Sequence, residues 1–274
     1  MTNIHESAIV KKGAQLGANV KIGPFCIVGE NVILEDNVEL KSHVIIENKV
    51  RIGKASQVHP FAVIGGNPQN LTHKGEGAEV IIGANVIIRE YVTINIGTEG
   101  DDMKTIIGDN CFIMTSAHIA HDCKIGNNVI MANCATLGGH VKIDDRAFIG
   151  GMVAVHQFAK IGKFAMIGGF SGIERDIPPF AMAIGSRAKI VGLNIIGLKR
   201  NGFKESDVNV MKKAFGTLFN SKMSTNQALE FLKQNGGDSA CIKELICFLD
   251  TKTNRGLSPA EVSYPADEKI KTEV

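Results

Sequence analysis

The stretch MTSAHIAHDCKIGNNVIMANCATLGGHVKIDDRAFIGGMVAVHQ, which runs from Met114 to Gln157, decides the fold because it repeats a pattern every six residues. A large apolar residue recurs at each sixth position, and a small or apolar residue stands two positions before it. The large series is Ile119, Ile125, Met131, Leu137, Ile143, Ile149 and Val155. The series two positions earlier is Ala117, Cys123, Val129, Ala135, Val141, Ala147 and Val153. A period of six fits neither an amphipathic helix nor an ordinary strand, and it predicts a triangular parallel β-helix.

The period also predicts which residues meet across neighbouring coils. Three hexapeptides, about 18 residues, complete one coil, and each hexapeptide supplies one short strand and one corner. Strand side chains alternate, so the two apolar series point into the core. Residues about 18 positions apart therefore stack, with about 4.8 Å between coils. One corner collects the column His121, Gly139 and Gln157, together with its neighbours Asp122, His140 and His156.

Two polar insertions interrupt the repeat, and a pair of prolines ends it. The insertions at residues 66–78 and 97–104 are rich in Gly and polar residues, and we predict that they form loops outside the β-helix. Insertions in solenoids often carry binding residues. The repeat ends at Pro178 and Pro179 because prolines cannot continue a central strand.

The C-terminal part follows a different pattern. Beyond residue 187 the apolar residues are spaced by three and four, which indicates helices. Ser224 followed by Gln227 is a candidate capping box. We therefore predict a mainly β protein, with a parallel β-helix of hexapeptide repeats over residues 1–187. A small α-helical C-terminal domain is predicted over residues 188–274, with a weakly ordered tail from Ser258.

Composition excludes several classes of protein. The 274 residues carry a net charge of +2, so no strongly basic footprint for a nucleic-acid partner is present. Apolar runs long enough for a membrane span are absent, and the N-terminal MTNIHESAIVKKG does not resemble a signal peptide. The six cysteines are scattered and lack a C-x-x-C motif, and Cys26, Cys111 and Cys123, at the small inward position of the repeat, are interpreted as buried hydrophobic residues. These features predict a cytoplasmic protein.

The histidine corner has a composition that suits general base catalysis. A neutral imidazole with a pKa near 6.5 can take a proton from an alcohol at pH 7, and Asp122 can orient the ring of His121. The backbone N–H of Gly139, one coil away, can stabilise an oxyanion. These groups together favour acyl transfer from a thioester to a hydroxyl. Because three identical rods suit cyclic closure, we predict a homotrimer with the site in the groove between rods.

Two other interpretations of the corner stay open at this point. In the first, His118 and His121, with His140 or His156, hold a zinc ion between subunits. In the second, the histidines are ordinary surface residues and the chain is a trimeric scaffold without catalytic activity.

Several longer motifs resemble one enzyme family, the UDP-N-acetylglucosamine 3-O-acyltransferases of lipid A biosynthesis. The family is a group of hexapeptide-repeat acyltransferases. The motifs that carry the resemblance are AHIAHDCKIGN at 117–127, GGHV at 138–141 and AVHQF at 154–158. The match extends over nearly the whole chain through IGPFCIVG at 22–29, LKSHV at 40–44 and GLNIIGLKRNGF at 192–203.

The resemblance implies a fold, a reaction and partners. It implies a left-handed parallel β-helix that assembles as a homotrimer. It further implies transfer of a 3-hydroxyacyl group from acyl carrier protein to the 3-hydroxyl of UDP-N-acetylglucosamine, the first step of lipid A biosynthesis. The resemblance implies neither a metal nor another cofactor.

The resemblance also implies roles for individual residues. His121 corresponds to the general base, Asp122 to the residue that orients it, and Gly139 to the oxyanion donor. His118, His140, His156 and Gln157 would line the sugar and acyl site. Gly169 would leave the acyl groove open for a long chain, and Asn194 and Arg200 would hold the nucleotide end.

One loop departs from the family pattern. The family usually reads Pro-Gln-Asp-Leu-Lys-Tyr in the first loop, whereas this chain has Asn70 and Thr72 at the acidic and basic positions. Asn70 and Thr72 remain candidate sugar-binding residues, but the change also admits an acceptor with a 3-amino group. His118 argues against that acceptor, because relatives that use an amine tend to lack this histidine. The related N-acyltransferase of the same pathway is a further alternative, although it generally carries an additional N-terminal domain.

Overall fold

The computed structural model describes residues 1–71, 73, 77–99, 102–251 and 253–261. Within this part of the chain, short strands follow one another around three faces, and each face is one sheet. Sheet A contains β1 (Asn3–Ile4), β4 (Lys21–Ile22), β7 (Glu39–Leu40), β10 (Gln57–Val58), β13 (Ile87–Ile88), β16 (Phe112–Ile113), β19 (Ile130–Met131), β22 (Phe148–Ile149), β25 (Met166–Ile167), β27 (Ala181–Ile184) and β28 (Lys189–Leu193). Sheet B contains β2 (Ile9–Val10), β5 (Ile27–Val28), β8 (Ile45–Ile46), β11 (Val63–Gly66), β14 (Thr93–Asn95), β17 (His118–Ile119), β20 (Thr136–Leu137), β23 (Ala154–Val155) and β26 (Gly172–Ile173). Sheet C contains β3 (Gln15–Leu16), β6 (Val32–Leu34), β9 (Lys49–Ile52), β12 (Glu79–Ile82), β15 (Lys104–Ile107), β18 (Lys124–Ile125), β21 (Lys142–Ile143) and β24 (Lys160–Ile161).

The register between coils follows the six-residue period. As far as Ile173, paired residues on neighbouring parallel strands are 18 positions apart where no loop intervenes, as in Lys124 with Lys142. At the end of the repeat the spacing shortens, and Met166 pairs with Met182. Across the first insertion Val50 pairs with Val80, so the coil absorbs the extra residues without a change of phase. The predicted parallel β-helix of hexapeptide repeats is confirmed, whereas the predicted bounds of the two loops stay a prediction. At the C-terminal end of sheet A, β27 and β28 form an antiparallel pair.

The core consists of the two apolar series of the repeat. Ile119, Val129 and Leu137 have no exposed surface, and the same holds for most members of both series. The inward-facing Cys123 is a free thiol, and burial raises its pKa to about 12. The interpretation of this cysteine as a buried hydrophobic residue is therefore confirmed.

The corners between the sheets share one backbone conformation. From Asn110 to Phe170 every sixth residue adopts a positive φ, which turns the chain from one face to the next. Asp122, His140 and Phe158, with φ of 59°, 60° and 66°, stack at the corner where sheet B passes into sheet C. We call this the B–C corner, and we name the C–A and A–B corners in the same way. The positive φ is the regular corner geometry of the repeat.

The C-terminal part packs helices against the end of the β-helix. The helices are α1 (Ile195–Arg200), α2 (Glu205–Phe215), which continues into a π-helical turn (Gly216–Asn220), α3 (Thr225–Asn235) and α4 (Ala240–Asp250). The capping box of Ser224 and Gln227 is confirmed at the start of α3. Sheet A extends to Leu193, and the predicted domain boundary after residue 187 stays a prediction. Among the described helices, none is both long and apolar enough to cross a lipid bilayer.

The segment after α4 returns to the β-helix. Ser258 is 2% exposed, and Ala260 forms a parallel bridge with Ile190. The prediction of a weakly ordered tail from Ser258 is therefore wrong as far as Glu261, because backbone hydrogen bonds hold this segment on sheet A. Residues 262–274 lie outside the described part of the chain.

Candidate active site

A hydrogen-bonded pair of His121 and Asp122 lies at the B–C corner. His121 Nδ1 is 2.9 Å from Asp122 Oδ2. The Asp122 side chain is fully buried, whereas the imidazole keeps 15% of its surface exposed. A buried carboxylate needs hydrogen-bond donors to compensate for lost water. The imidazole is such a donor, and the contact leaves Nε2 of His121 as the nitrogen that can accept a proton.

Two threonines hold Asp122 from neighbouring parts of the chain. Thr98 donates its hydroxyl to Asp122 Oδ2 at 2.6 Å, and its backbone N–H lies 3.1 Å from both carboxylate oxygens. The N–H of Asp122 donates to Thr105 Oγ1 at 2.9 Å. Sequence reasoning missed both threonines. Thr105 leaves a signal, since it puts a hydroxyl at an inward position that is otherwise apolar, but Thr98 leaves none within its irregular loop.

Gly139 lies directly against the imidazole, as the 18-residue spacing predicts. A Cβ atom at Gly139 would lie 2.6 Å from Nε2 and 2.5 Å from Cε1 of His121, so only glycine fits. The neighbouring N–H groups of Gly138 and His140 donate to the carbonyls of Val155 and His121. Within the described residues, no hydrogen-bond acceptor is found for the N–H of Gly139 itself. The corner thus pairs an imidazole with an adjacent N–H donor.

The rest of the corner is formed by aromatic rings. His140 contacts the edge of the His121 ring at a centroid distance of 5.1 Å and stacks on Phe158 at 4.5 Å. Its Nε2 is 3.7 Å from Asp122 Oδ2. These contacts bring His121, Asp122, Gly139 and His140 together in adjacent coils.

His118 lies on β17, beside the corner. Its Nδ1 is 2.7 Å from the hydroxyl of Thr93, so Nε2 remains to face a ligand. Burial, and after it the neighbouring His121, lowers the pKa of His118 below its usual value. His118 is therefore a neutral ring at pH 7.

His156 and Gln157 extend the corner by one coil, and both are exposed. His156 Nδ1 is 3.1 Å from the carbonyl oxygen of Gln157. The same carbonyl accepts a hydrogen bond from Nε of Arg255 at 3.0 Å. Arg255 belongs to the segment that returns after α4, and no pattern in the sequence pointed to it.

Gly169 lies apart from the histidines, next to Phe170 at the A–B corner. It is exposed, and a Cβ atom there would lie 3.2 Å from the carbonyl oxygen of Gly151. The surface at this corner is therefore open.

Asn194 and Arg200 lie away from both the B–C corner and Gly169. They line a cavity of about 730 Å³ above sheet A, whose floor includes Ile130, Phe148, Met166 and Met182. The Asn194 side chain caps α1, because its Oδ1 accepts from the N–H of Gly197 and its Nδ2 donates to the carbonyl of Phe164.

The cavity has a second polar edge at Arg146, which sequence reasoning missed. The guanidinium of Arg146 donates to Asn201 Oδ1 at 3.0 Å. No histidine of the described chain lines this cavity, so one chain does not bring Asn194 and Arg200 together with His121.

The first loop contains the remaining predicted residues. Asn70 is half-buried, and its carbonyl accepts from the N–H of His73 at 3.1 Å. Thr72 lies outside the described residues. The predicted roles of Asn70 and Thr72 stay predictions.

The B–C corner also contains groups that can ligate a metal. His121, Asp122 and His140 offer ligand atoms within 4.8 Å of one another. This group differs from the histidine set predicted for zinc, since it takes Asp122 and leaves out His118 and His156. Zinc bonds to nitrogen and oxygen measure about 2.0–2.2 Å, so a metal would have to replace the hydrogen bond between His121 and Asp122. The donors already present on Asp122 favour an oriented base.

Comparison with known proteins gives one consistent family. Residues 176–258 match the family described as UDP N-acetylglucosamine O-acyltransferase, domain 2, and residues 13–48 and 104–139 match the bacterial transferase hexapeptide family. The acyl-(acyl carrier protein)–UDP-N-acetylglucosamine O-acyltransferase of Thermodesulfovibrio yellowstonii is 49% identical over 94% of this chain and 99% of its own length. The enzyme of the same name from Bartonella bacilliformis is 47% identical over 93% of each chain. The solved UDP-N-acetylglucosamine acyltransferase of Campylobacter jejuni is 40% identical, with a TM-score of 0.88 over 94% of this chain and 99% of that chain. These similarities and the shared hexapeptide architecture lead to one conclusion: the chain belongs to the acyl-(acyl carrier protein)–UDP-N-acetylglucosamine O-acyltransferase family.

Proposed function

We propose that the chain transfers a 3-hydroxyacyl group from acyl carrier protein to the 3-hydroxyl of UDP-N-acetylglucosamine, the first step of lipid A biosynthesis. The observation that carries the proposal is the buried Asp122 carboxylate on Nδ1 of His121, with Gly139 against the Cε1 and Nε2 atoms of the ring. The names of the relatives supply the substrates, and the corner supplies a chemistry that suits them.

His121 acts as the general base in this proposal. Its Nε2 takes the proton of the sugar 3-hydroxyl while that oxygen attacks the thioester carbonyl carbon. Asp122 accepts from Nδ1 and stabilises the imidazolium that forms. General base catalysis of this kind contributes about 10²–10⁴-fold to rate.

Gly139 acts as the oxyanion donor. Attack on the thioester puts a negative charge on the carbonyl oxygen, and the N–H of Gly139 can donate to it. Collapse of the intermediate breaks the C–S bond, and the imidazolium of His121 returns its proton to the leaving thiolate. The products are the acylated sugar nucleotide and the free thiol of the carrier.

The remaining candidate residues bind substrate in the same proposal. His118 and His140 face the sugar, and His156 and Gln157 line the continuation of the corner. The open surface at Gly169 suits a long acyl chain, since each buried CH₂ contributes about 0.8 kcal/mol. Arg200 forms charge-assisted hydrogen bonds to phosphate. Asn194 contributes mainly by capping the helix that carries Arg200.

A homotrimer explains how these separate groups can act together. The catalytic pair is at the B–C corner, whereas Arg200 lies above sheet A. Neighbouring rods in a three-fold arrangement can bring one chain's B–C corner against the next chain's sheet A. An exposed ladder of stacked rings at the A–B corner also favours burial in an assembly. Its members are Phe25, His43, Phe61 and Tyr91.

We place this reaction in the cytoplasm, where the free cysteines of the described chain would stay reduced. Acyl carrier protein is acidic, and the helical segment has basic residues for electrostatic steering of such a partner. Lys204, Lys212 and Lys213 are three of them.

The reaction is tested with purified protein, UDP-N-acetylglucosamine and 3-hydroxyacyl carrier proteins of several chain lengths. The assay contains EDTA and identifies products by mass. We expect a singly acylated sugar nucleotide from the wild type and none from His121→Ala, with the oligomer intact in both.

Turnover only with the 3-amino sugar nucleotide would assign that acceptor to the loop with Asn70 and Thr72. Absence of product with either acceptor would contradict the proposal and leave the scaffold interpretation. Activity that EDTA abolishes and zinc restores would favour the metal interpretation.

A further inference from the structure

The first loop contains a buried histidine that the mechanism does not use. The side chain of His73 is only 6% exposed. Within the described residues, neither of its ring nitrogens has a hydrogen-bond partner. Buried polar groups are rarely left in this state, so His73 is expected to have a function that keeps it there.

The nearest charged group to His73 belongs to the second loop. His73 Nδ1 lies 3.7 Å from Glu99 Oε2, and the Glu99 side chain is 43% exposed. This distance is within the range of an ion pair but longer than a hydrogen bond. A small shift of either loop would bring these two atoms within hydrogen-bond distance.

The second loop is well braced, so Glu99 has a defined position. Glu99 forms an antiparallel bridge with Asp102, and Asp102 contacts Lys124 Nζ at 2.6 Å. At the base of the loop, the Cβ position of Gly97 lies 2.3 Å from the carbonyl carbon of Met103, so the two ends of the loop meet closely.

The described ends of the first loop are held by side-chain contacts. Asn95 Nδ2 donates to the carbonyl oxygens of Gly66 and Asn67, and the Glu79 carboxylate pairs with Lys49 and Lys104. His73 lies between these ends, three positions after Asn70. Its contact with Glu99 therefore ties the first loop to the second loop between these ends.

Glu99 is also the direct neighbour of Thr98, whose hydroxyl and N–H hold Asp122. A short covalent link thus joins the residue that contacts the first loop to the residue that positions the catalytic carboxylate. We propose that His73 and Glu99 form a joint between the two loops and position the first loop for the acceptor sugar. His73 is then a positioning residue, and this inference rests on the proposed function.

The test uses His73→Gln, Glu99→Gln and the double variant in the full-length protein. We expect each single change to raise the KM for UDP-N-acetylglucosamine about tenfold while the KM for the acyl carrier protein stays constant. The double variant should be no worse than either single variant, because both remove the same contact. Glu174→Gln, a change of an exposed glutamate on the surface, is the matched control and should leave both constants unchanged.

A second measurement keeps the inference independent of activity. Amide hydrogen exchange over residues 66–78 should be faster in both single variants than in the wild type, while exchange in β17 to β20 stays the same. Unchanged exchange in this loop, additive losses in the double variant, or an unchanged KM for the sugar nucleotide would overturn the inference. A wild type without acyl transfer would instead contradict the proposed function, and the exchange measurement would still decide whether the joint exists.

Discussion

Thr98 donates both its hydroxyl and its backbone N–H to the carboxylate of Asp122, although 24 residues separate the two in the sequence. The hydroxyl contact, at 2.6 Å, is a hydrogen bond to a buried charged group. Such bonds contribute about 1.5–3 kcal/mol. The geometry of the His121–Asp122 pair therefore depends on a residue from an irregular loop.

Replacement of this hydroxyl tests its contribution. We expect Thr98→Val to lower kcat by about ten- to a hundredfold, since about 1.4 kcal/mol corresponds to a factor of ten in rate. The KM for the acyl carrier protein should change little. Steady-state kinetics of Thr98→Val and Thr98→Ser separate the hydroxyl from the shape of the side chain, because Ser keeps the donor. Equal losses in both variants would argue against this role of the hydroxyl.

The close approach of Gly139 to His121 predicts a strong effect of one methyl group. In Gly139→Ala the Cβ atom would lie 2.6 Å from Nε2 of His121, so the ring must move away from its position. A displacement near 1 Å can cost about a hundredfold in rate, and we expect a loss of that size in kcat.

Gly29→Ala is the matched control, because its Cβ atom would lie 3.2 Å from the carbonyl oxygen of Ile46, far along the chain from the corner. Its kcat should stay near that of the wild type. If Gly139→Ala also retained full activity, the position of the ring against Gly139 would not matter for catalysis.

The lowered pKa of His118 predicts how stability depends on pH. The folded protein binds the proton on His118 more weakly than the unfolded chain does, because burial disfavours the charged ring. Below the ordinary value of about 6.5, protonation therefore favours unfolding, and the contribution of the neutral ring to stability is lost.

The measurement compares melting temperatures of the wild type and His118→Asn at pH 7.5 and at pH 5.5. The wild type should lose more stability than the variant as the pH falls, since Asn does not titrate. An equal loss in both proteins would mean that His118 does not sense the change in pH.

The separation of His121 from Arg200 predicts complementation between defective chains. If each site takes its base from one subunit and its arginine from the next, His121→Ala and Arg200→Ala chains can form intact sites in mixed trimers. Random mixing of equal amounts should restore about a quarter of the sites. Co-expression of the two chains with different tags, followed by an activity assay, provides the measurement. Activity no higher than that of the two variants alone would contradict the proposal that neighbouring subunits share the site.

The sequence by itself determined the β-helix and the main column of the site. The six-residue period predicts which residues point inward. Hydrogen bonds between parallel strands then maintain the 18-residue register from coil to coil. The meeting of His121 with Gly139 follows from that register, because stacking in a solenoid depends only on the count of residues.

Only the tertiary structure decided the contacts made by irregular segments. Thr98 reaches Asp122, and His73 reaches Glu99, through loops that follow no period, so nothing in the residue spacing reveals where they end. The same holds for Arg255, which returns to the corner after α4. The separation of Arg200 from the histidines could not be predicted from the sequence either, because it depends on how α1 packs over sheet A. Periodic backbone pairing can be counted along a sequence, whereas the path of a loop depends on which side chains it meets in space.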